Sequence, residues 1–197
     1  MILELAGGVG GAKLAAGFAK NLGSEFIVVV NTGDDFEHLG LCISPDLDTV
    51  MYSLAGINNP ETGWGIVDET WSFISMMEKL GGDTWFRLGD RDLATHVQRT
   101  RHLRAGDTLS AVTSRLASSL EITTHIVPMS DDPVRTIVAT DEEELTFQEY
   151  FVQRRCEPRV TGIHFKGVEN AKMSESFANA LTDRALEAII IGPSNPM

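Results

Sequence analysis

The sequence is poor in cysteine and in basic residues, and it contains no long apolar run. Only two cysteines occur in 197 residues, Cys42 and Cys156, and they lack the spacing of a metal centre, so we expect free thiols without a role. No segment reaches the roughly 20 apolar residues that span a bilayer. Met1–Ala6 is too short for a secretory signal and lacks its basic start, so we expect a cytoplasmic protein that does not bind membranes.

The charge balance excludes one class of partner. Sixteen lysines and arginines against 28 acidic residues give a formal net charge of −12. A general nucleic-acid binder needs a basic face, so we expect no nucleic acid partner. A small anionic substrate remains possible, because a metal ion, a helix N-terminus or a few local basic side chains can reverse the sign of the potential within a pocket.

The first thirty residues predict a strand, a helix and a second strand. The apolar runs Met1–Ala6 and Phe26–Val30 flank Lys13–Leu22, where apolar residues recur at helical spacing. Such a unit has parallel strands and a right-handed crossover, and its ligands bind beyond the carboxyl ends of the strands. We therefore predict an α/β fold, a Rossmann-like parallel-sheet sandwich that forms a single domain over residues 1–197.

The middle of the chain changes to helical periodicity, which predicts a mainly helical insertion at about residues 57–122. Strand patterns return afterwards, and Ala188–Ile191 is predicted to be a final buried strand. A buried strand followed by a Pro-Ser-Asn-Pro loop normally leads back into a fold. We therefore expect the sequence to be truncated at its C-terminus.

An acidic loop follows the second predicted strand. It carries four aspartates, Asp34, Asp35, Asp46 and Asp48. One of them could cap the next helix, but several carboxylates that lie close together repel each other unless a cation or proton intervenes. A divalent metal or a positively charged substrate group would supply this neutralisation, and we favour that interpretation over a solvated acidic loop.

A glycine-rich segment, GGVGGAK, lies between the first strand and the predicted helix. Glycine allows the backbone to approach an anion at a helix N-terminus, and Lys13 adds a positive charge. The segment matches neither common nucleotide motif, because Lys13 stands where G-x-G-x-x-G requires its last glycine and no Gly-Lys-Ser/Thr follows. A phosphate-binding turn and a tight strand-to-helix connection are both compatible with it.

Two further segments offer candidate ligands. WFRLGDRDLATH contains Arg87 and Arg91, which either bind phosphate or carbonyl oxygens or form surface ion pairs with Asp90 and Asp92. The final loop offers Ser194 and Asn195 as neutral hydrogen-bond partners.

Eight segments in this order carry a family resemblance: GGVGGAKLAAGFA, VVNTGDDFEHLGLCISPDLDTVMYSLAG, GWGIVDET, WFRLGDRDLATHVQRT, LRAGDTLSAVT, PMSDDPVRT, FQEYFVQRR and IIIGPSNP. Together they resemble the 2-phospho-L-lactate transferase family of coenzyme F420 biosynthesis. The resemblance implies transfer of a 2-phospho-L-lactyl or phosphoenolpyruvyl group from a guanosine diphosphate-linked donor to the deazaflavin Fo. GMP is released and Mg²⁺ is required. It also implies a homodimer.

The resemblance assigns roles residue by residue. Asp48 and Arg87 match positions that contact the deazaflavin, and Asp48 could also orient or deprotonate the attacking hydroxyl, with Asp46 as a second catalytic candidate. Asp34, Asp35 and Asp46 are the candidate metal ligands. The remaining candidate substrate-binding residues are Gly8, Gly10, Gly11, Lys13, Asn31, Thr32, Arg91, Ser194 and Asn195.

Two other functions are compatible with a fold of this type. A non-catalytic regulator that binds a nucleotide or sugar nucleotide, like the related gluconeogenesis-factor family, would fit a shortened C-terminus. A dinucleotide-dependent oxidoreductase fits poorly, because Asn31-Thr32-Gly33 follows the second strand where a ribose-binding acid is expected.

Overall fold

A computed structural model describes residues 1–193. Nine strands and six α-helices occur among them, with one 3₁₀ turn at Gly23–Glu25 and one π-helical turn at Glu149–Gln153. In chain order they are β1 (Ile2–Ala6), α1 (Gly8–Leu22), β2 (Phe26–Val30), β3 (Phe36–His38), β4 (Leu41–Ile43), α2 (Pro45–Ala55), α3 (Ser72–Lys79), α4 (Asp90–Arg104), α5 (Leu109–Ser119), β5 (His125–Pro128), β6 (Arg135–Thr140), β7 (Glu144–Thr146), β8 (Val160–Lys166), α6 (Glu175–Thr182) and β9 (Ala188–Ile191).

A four-stranded parallel sheet with the order β5-β2-β1-β9 forms the centre of the fold. The first strand therefore lies inside the sheet, and the carboxyl ends of β1, β2 and β5 meet at one edge. Helices α1 and α2 pack on one face, where Ala12, Ala15, Leu47 and Val50 are fully buried. Helix α6 packs on the other face through Ala180. This arrangement confirms the predicted α/β sandwich with a parallel sheet.

Two smaller antiparallel sheets lie outside this centre. Strands β3 and β4 form a hairpin within the acidic loop, and β6 pairs with both β7 and β8. Residues 57–122 contain α3, α4, α5 and an isolated bridge between Asn58 and Ile66. In chain order, these three helices lie between α2 and strand β5.

The first helix begins five residues earlier than the prediction of Lys13–Leu22. Gly8, Gly10 and Gly11 lie in its first turns instead of in a separate turn, and only Gly7 precedes it as the N-cap. Gly10 and Gly11 lower the helix propensity of this segment, but packing of the start of α1 against the sheet overrides that propensity. A methyl group on Gly11 would lie 2.8 Å from Cβ of Ala6, so a larger residue would push the helix off the strand.

The prediction of a buried final strand is wrong. The position of β9 is as predicted, but Ile189 is 49% exposed and Ile191 is 80% exposed. The strand pairs on one side with β1 and lies at the edge of the sheet formed by residues 1–193. The run of isoleucines correctly predicted a strand. It did not require burial, because β-branched side chains also favour strand conformation at an exposed edge.

Candidate active site

Asn31 connects the acidic loop to the ends of two neighbouring strands. Its backbone N–H donates to the carbonyl of Ala6 (2.9 Å), which links the end of β2 to the end of β1. Its side-chain amide donates to Oδ2 of Asp34 (3.2 Å) and to Oδ2 of Asp46 (2.9 Å). Its side-chain oxygen accepts from the N–H of Gly33 (2.9 Å), which fixes the amide orientation. One amide group therefore holds two carboxylates side by side.

The two carboxylates that Asn31 holds are half-buried and electrostatically unfavourable together. Burial raises the pKa of Asp46 to about 6, and the neighbouring charge of Asp34 contributes to this increase. Burial also raises the pKa of Asp34, although hydrogen bonds from Thr136 and Asn31 oppose the shift. Desolvated carboxylates that share one hydrogen-bond donor favour a bound cation or a shared proton.

The start of helix α1 adjoins this pair. The backbone N–H of Gly8 lowers the pKa of Asp46 against the larger effect of burial, and a Cβ built on Gly8 would lie 3.6 Å from Oδ1 of that carboxylate. Gly8 has a φ of +55°, which glycine adopts without steric cost. The first turn of α1 contains no acidic side chain and Gly7 provides no side-chain cap. A helix N-terminus of this kind favours a bound anion.

The other residues of the glycine segment have different surroundings. A Cβ on Gly10 would lie 2.5 Å from the carbonyl oxygen of Pro193, so this glycine allows close packing of the loop after β9. Gly11 is buried against Ala6, and Lys13 is exposed on the first turns of α1. The candidates Ser194 and Asn195 follow Pro193 directly and lie outside the described residues.

Asp35 points to a different place from Asp34 and Asp46. It is 6% exposed, its Oδ2 accepts from the Ser44 hydroxyl (2.8 Å), and burial raises its pKa to about 8. With Thr32 and Arg135 it lines a cavity of about 380 Å³ between the ends of β2 and β5. The Thr32 hydroxyl is buried and has no hydrogen-bond partner among residues 1–193. The structure therefore separates Asp35 and Thr32 from the Asn31 group.

Asp48 belongs to a buried polar network between α2 and α4. Its two oxygens accept from the two terminal nitrogens of Arg99, one of them at 3.0 Å, and both residues are at most 5% exposed. His96 lies beside this ion pair, with Nδ1 3.2 Å from Nη1 of Arg99. Arg99 and His96 were not predicted as site residues, although residues 92, 96 and 99 share one face of a helix and form a polar stripe in the sequence.

Asp48, Asp92 and His96 also form a geometric metal candidate, since one ligand atom of each lies within 4.8 Å of the others. The hydrogen bonds argue against this assignment. Arg99 already engages both oxygens of Asp48, and a metal ion there would lie against a guanidinium that is always protonated. No lysine or arginine among residues 1–193 forms an ion pair with Asp34 or Asp46, so the Asn31 group fits a divalent metal better.

The two candidate arginines lie on the surface. Arg87 places its guanidinium 4.6 Å from the ring centroid of Trp71, a cation–π contact between exposed side chains. Arg91 donates to the carbonyl of Val67 (3.0 Å). The alternative of ion pairs with Asp90 and Asp92 is wrong for the described residues. Asp90 instead accepts from Thr70, Ser72 and Phe73, and Asp92 contacts Tyr52 and His96.

No helix among residues 1–193 combines the length and the apolar character required to cross a membrane.

Comparison with known proteins identifies relatives along the whole chain. A phosphoenolpyruvate transferase of Kitasatospora aureofaciens is 42% identical over 203 residues, which cover 100% of this chain and 63% of that protein. A 2-phospho-L-lactate transferase of Methanopyrus kandleri is 43% identical over 194 residues, covering 98% of this chain and 62% of the relative. The chain thus spans less than two thirds of the length of these relatives.

Solved structures support the fold. A crystal structure of a UPF0052 family protein from Bacillus halodurans matches with a TM-score of 0.62 over 98% of this chain and 58% of its own, at 13% identity. The family model for 2-phospho-L-lactate transferase CofD matches residues 2–197. The chain belongs to the 2-phospho-L-lactate transferase CofD family.

Proposed function

We propose that this chain transfers a 2-phospho-L-lactyl or phosphoenolpyruvyl group from a guanosine diphosphate-linked donor to the deazaflavin Fo in coenzyme F420 biosynthesis. The observation that carries the proposal is the pair of carboxylates, Asp34 and Asp46, which Asn31 holds beside the N-terminus of α1. The names of the relatives and the family match support the same reaction class.

The transfer requires charge neutralisation and alignment more than covalent catalysis. A ribityl hydroxyl oxygen of Fo attacks the phosphorus of the phospholactyl or phosphoenolpyruvyl group. The bond from that phosphorus to the GMP phosphate oxygen breaks, GMP leaves, and the hydroxyl proton is released. A helix N-terminus and a divalent cation stabilise the charge that accumulates on the phosphate oxygens of such a reaction.

We assign Mg²⁺ to Asp34 and Asp46. Their half-buried carboxylates, raised pKa values and common hydrogen bond to Asn31 fit the preference of Mg²⁺ for one or two carboxylates together with substrate phosphates. When bound, the ion would neutralise donor phosphate charge at this position. Asn31 has the role of fixing the spacing of the two carboxylates, and Asp35 is omitted from the ligand set because Ser44 holds it elsewhere.

The remaining residues divide between donor and acceptor. The N–H groups at the start of α1, with Lys13 nearby, would bind the donor phosphates. Asp48 would accept a hydrogen bond from the acceptor hydroxyl, and Arg87 would contact the deazaflavin. Asp48 orients the hydroxyl in this proposal instead of deprotonating it, because Arg99 engages both its oxygens.

The reaction is tested by incubating the protein with Fo, a guanylylated donor and Mg²⁺, followed by mass analysis of the deazaflavin. The expected result is a phosphorylated deazaflavin and one GMP per product. Asp46→Asn should abolish the product, while Glu169→Gln, a change at an exposed acid, should leave the yield unchanged. Absence of product and absence of Fo binding, with GDP still bound, would contradict the transferase and support a nucleotide-binding regulator.

A further inference from the structure

We propose that Arg99 is a positioning residue that fixes the orientation of Asp48, and that His96 and Asp92 hold Arg99 in place. This inference rests on the proposed contact of Asp48 with the acceptor hydroxyl. The network that carries it also includes Tyr52, and it links helices α2 and α4 at two points.

Arg99 and Asp48 form a buried pair with directional contacts. Arg99 is 1% exposed, its Nη1 donates to Oδ2 of Asp48 at 3.0 Å, and its Nη2 donates to Oδ1. A planar guanidinium that binds both oxygens of a carboxylate fixes the plane of that carboxylate, which a single ammonium contact cannot do. Each carboxylate oxygen has a second lone pair, so Asp48 can still accept a hydrogen bond from a substrate hydroxyl.

His96 determines where the guanidinium lies. An arginine side chain only donates, so the 3.2 Å contact between Nη1 of Arg99 and Nδ1 of His96 requires a lone pair on Nδ1. The ring proton must then be on Nε2, which lies 3.2 Å from Oδ2 of Asp92. Nδ1 also lies 3.6 Å from Oδ2 of Asp48, but the shorter contact is the one to Nη1 of Arg99, so the geometry assigns the ring proton to Nε2.

Tyr52 closes the network. Its hydroxyl donates to Oδ1 of Asp92 at 2.6 Å, and this tyrosine lies four residues after Asp48 on the same face of α2. The contacts therefore run from Asp48 through Arg99, His96 and Asp92 back to the helix that carries Asp48. The hydrogen bonds of Arg99 and Tyr52 join the two helices at two points, and His96 Nε2 lies 3.2 Å from Asp92 without a hydrogen bond among residues 1–193. Buried polar contacts at two points leave little freedom to the carboxylate of Asp48.

Kinetics of a conservative variant test the positioning role. Arg99→Lys keeps the charge but loses the paired donors, so kcat/KM for the deazaflavin should fall by about 10- to 100-fold, with the KM for the donor unchanged. The matched control is Arg101→Lys, an exposed position on the same helix, which should behave as the wild type. Tyr52→Phe removes one hydroxyl only and should cause a smaller loss in the same parameter. Guanidinium chloride should restore activity to Arg99→Ala.

A spectroscopic measurement separates this inference from the proposed reaction. In ¹⁵N-labelled wild-type protein, His96 should give the nitrogen shifts of the Nε2–H tautomer at about pH 7, and Arg99→Lys should change them. His102, whose Nδ1 lies 2.9 Å from Asp107, serves as an internal reference on the same helix and should not respond.

If the wild type has no transferase activity but His96 shows this tautomer, the proposed reaction is wrong and the positioning network stands. Equal kinetics of Arg99→Lys and the wild type, an Nδ1–H tautomer, or a His96 shift caused by adding Mg²⁺ would overturn the inference.

Discussion

Glu4 is a fully buried acid on a central strand of the sheet. It lies in the middle of β1, is 0% exposed, and neither carboxylate oxygen has a partner among residues 1–193. The loop after β9 closes over it, since a Cβ on Gly192 would lie 2.7 Å from its Oε1. Loss of solvation by burial raises its pKa from 4.5 to about 7. We predict that this side chain makes the stability of the protein depend on pH.

The direction and size of this pH dependence follow from the difference in proton binding between the folded and unfolded states. Below about pH 4.5 the folded and unfolded states both hold the proton, so Glu4 has no effect on the pH dependence there. From there to about pH 7 the unfolded state has lost the proton while the folded state retains it, so the free energy of unfolding falls as pH rises. A shift of this size corresponds to about 3 kcal/mol in total. Above that pH the contribution is constant.

The test compares Glu4→Gln with the wild type by urea denaturation at about pH 5 and about pH 7.5. The glutamine cannot ionise, so the stability of the variant relative to the wild type should rise by about 2 kcal/mol between these pH values, since part of the titration lies outside this range. The measured quantity is the change with pH in the stability difference between the two proteins. The titration of the other buried acids is common to both proteins and cancels. Glu169→Gln, at an exposed position, should show no such change. Parallel pH profiles for wild type and Glu4→Gln would refute the reasoning that burial dominates at this position.

Two packing and capping predictions follow from the helices and are measured by the same denaturation assay. Gly11→Ala should lower the free energy of unfolding by about 1 to 3 kcal/mol, because its Cβ would lie 2.8 Å from that of Ala6. Gly17→Ala, in the same helix with nothing within 4 Å, should raise it by up to about 1 kcal/mol, and an equal effect at both positions would contradict the packing argument. Thr108→Ala should cost about 1 kcal/mol, because the Thr108 hydroxyl accepts from the N–H of Ala111 at the start of α5; no loss would show that this cap is replaced by water.

The pattern of apolar residues predicted the central strands and helices, because a buried element carries its apolar side chains within a short stretch of sequence. Phe26–Val30 is a continuous apolar run and forms β2 with the predicted bounds. Helix α2 begins at Pro45, since proline is favoured at the first helical position, where its missing N–H costs no hydrogen bond. The hairpin of β3 and β4 was not predicted, since Leu39 and Gly40 adopt positive φ angles that the sequence does not announce at a leucine.

The candidate site was only partly accessible from the sequence. The acidic loop and the glycine segment could be predicted to meet, because both follow parallel strands. Which carboxylates face each other could not, since the contact between Asn31 and Asp46 spans 15 residues and depends on how α2 packs. The pairing of Asp48 with Arg99 spans 51 residues and required knowing that α2 and α4 are neighbours.

Binding of manganese(II), used in place of Mg²⁺ and followed by EPR, tests most directly whether the carboxylates beside helix α1 hold the metal. The account predicts that Asp46→Asn weakens Mn²⁺ binding at least about tenfold, while Asp92→Asn, in the network of Arg99 and His96, binds as the wild type does. Loss of binding in Asp92→Asn with full binding in Asp46→Asn would place the ion at Asp48, Asp92 and His96 and contradict the account.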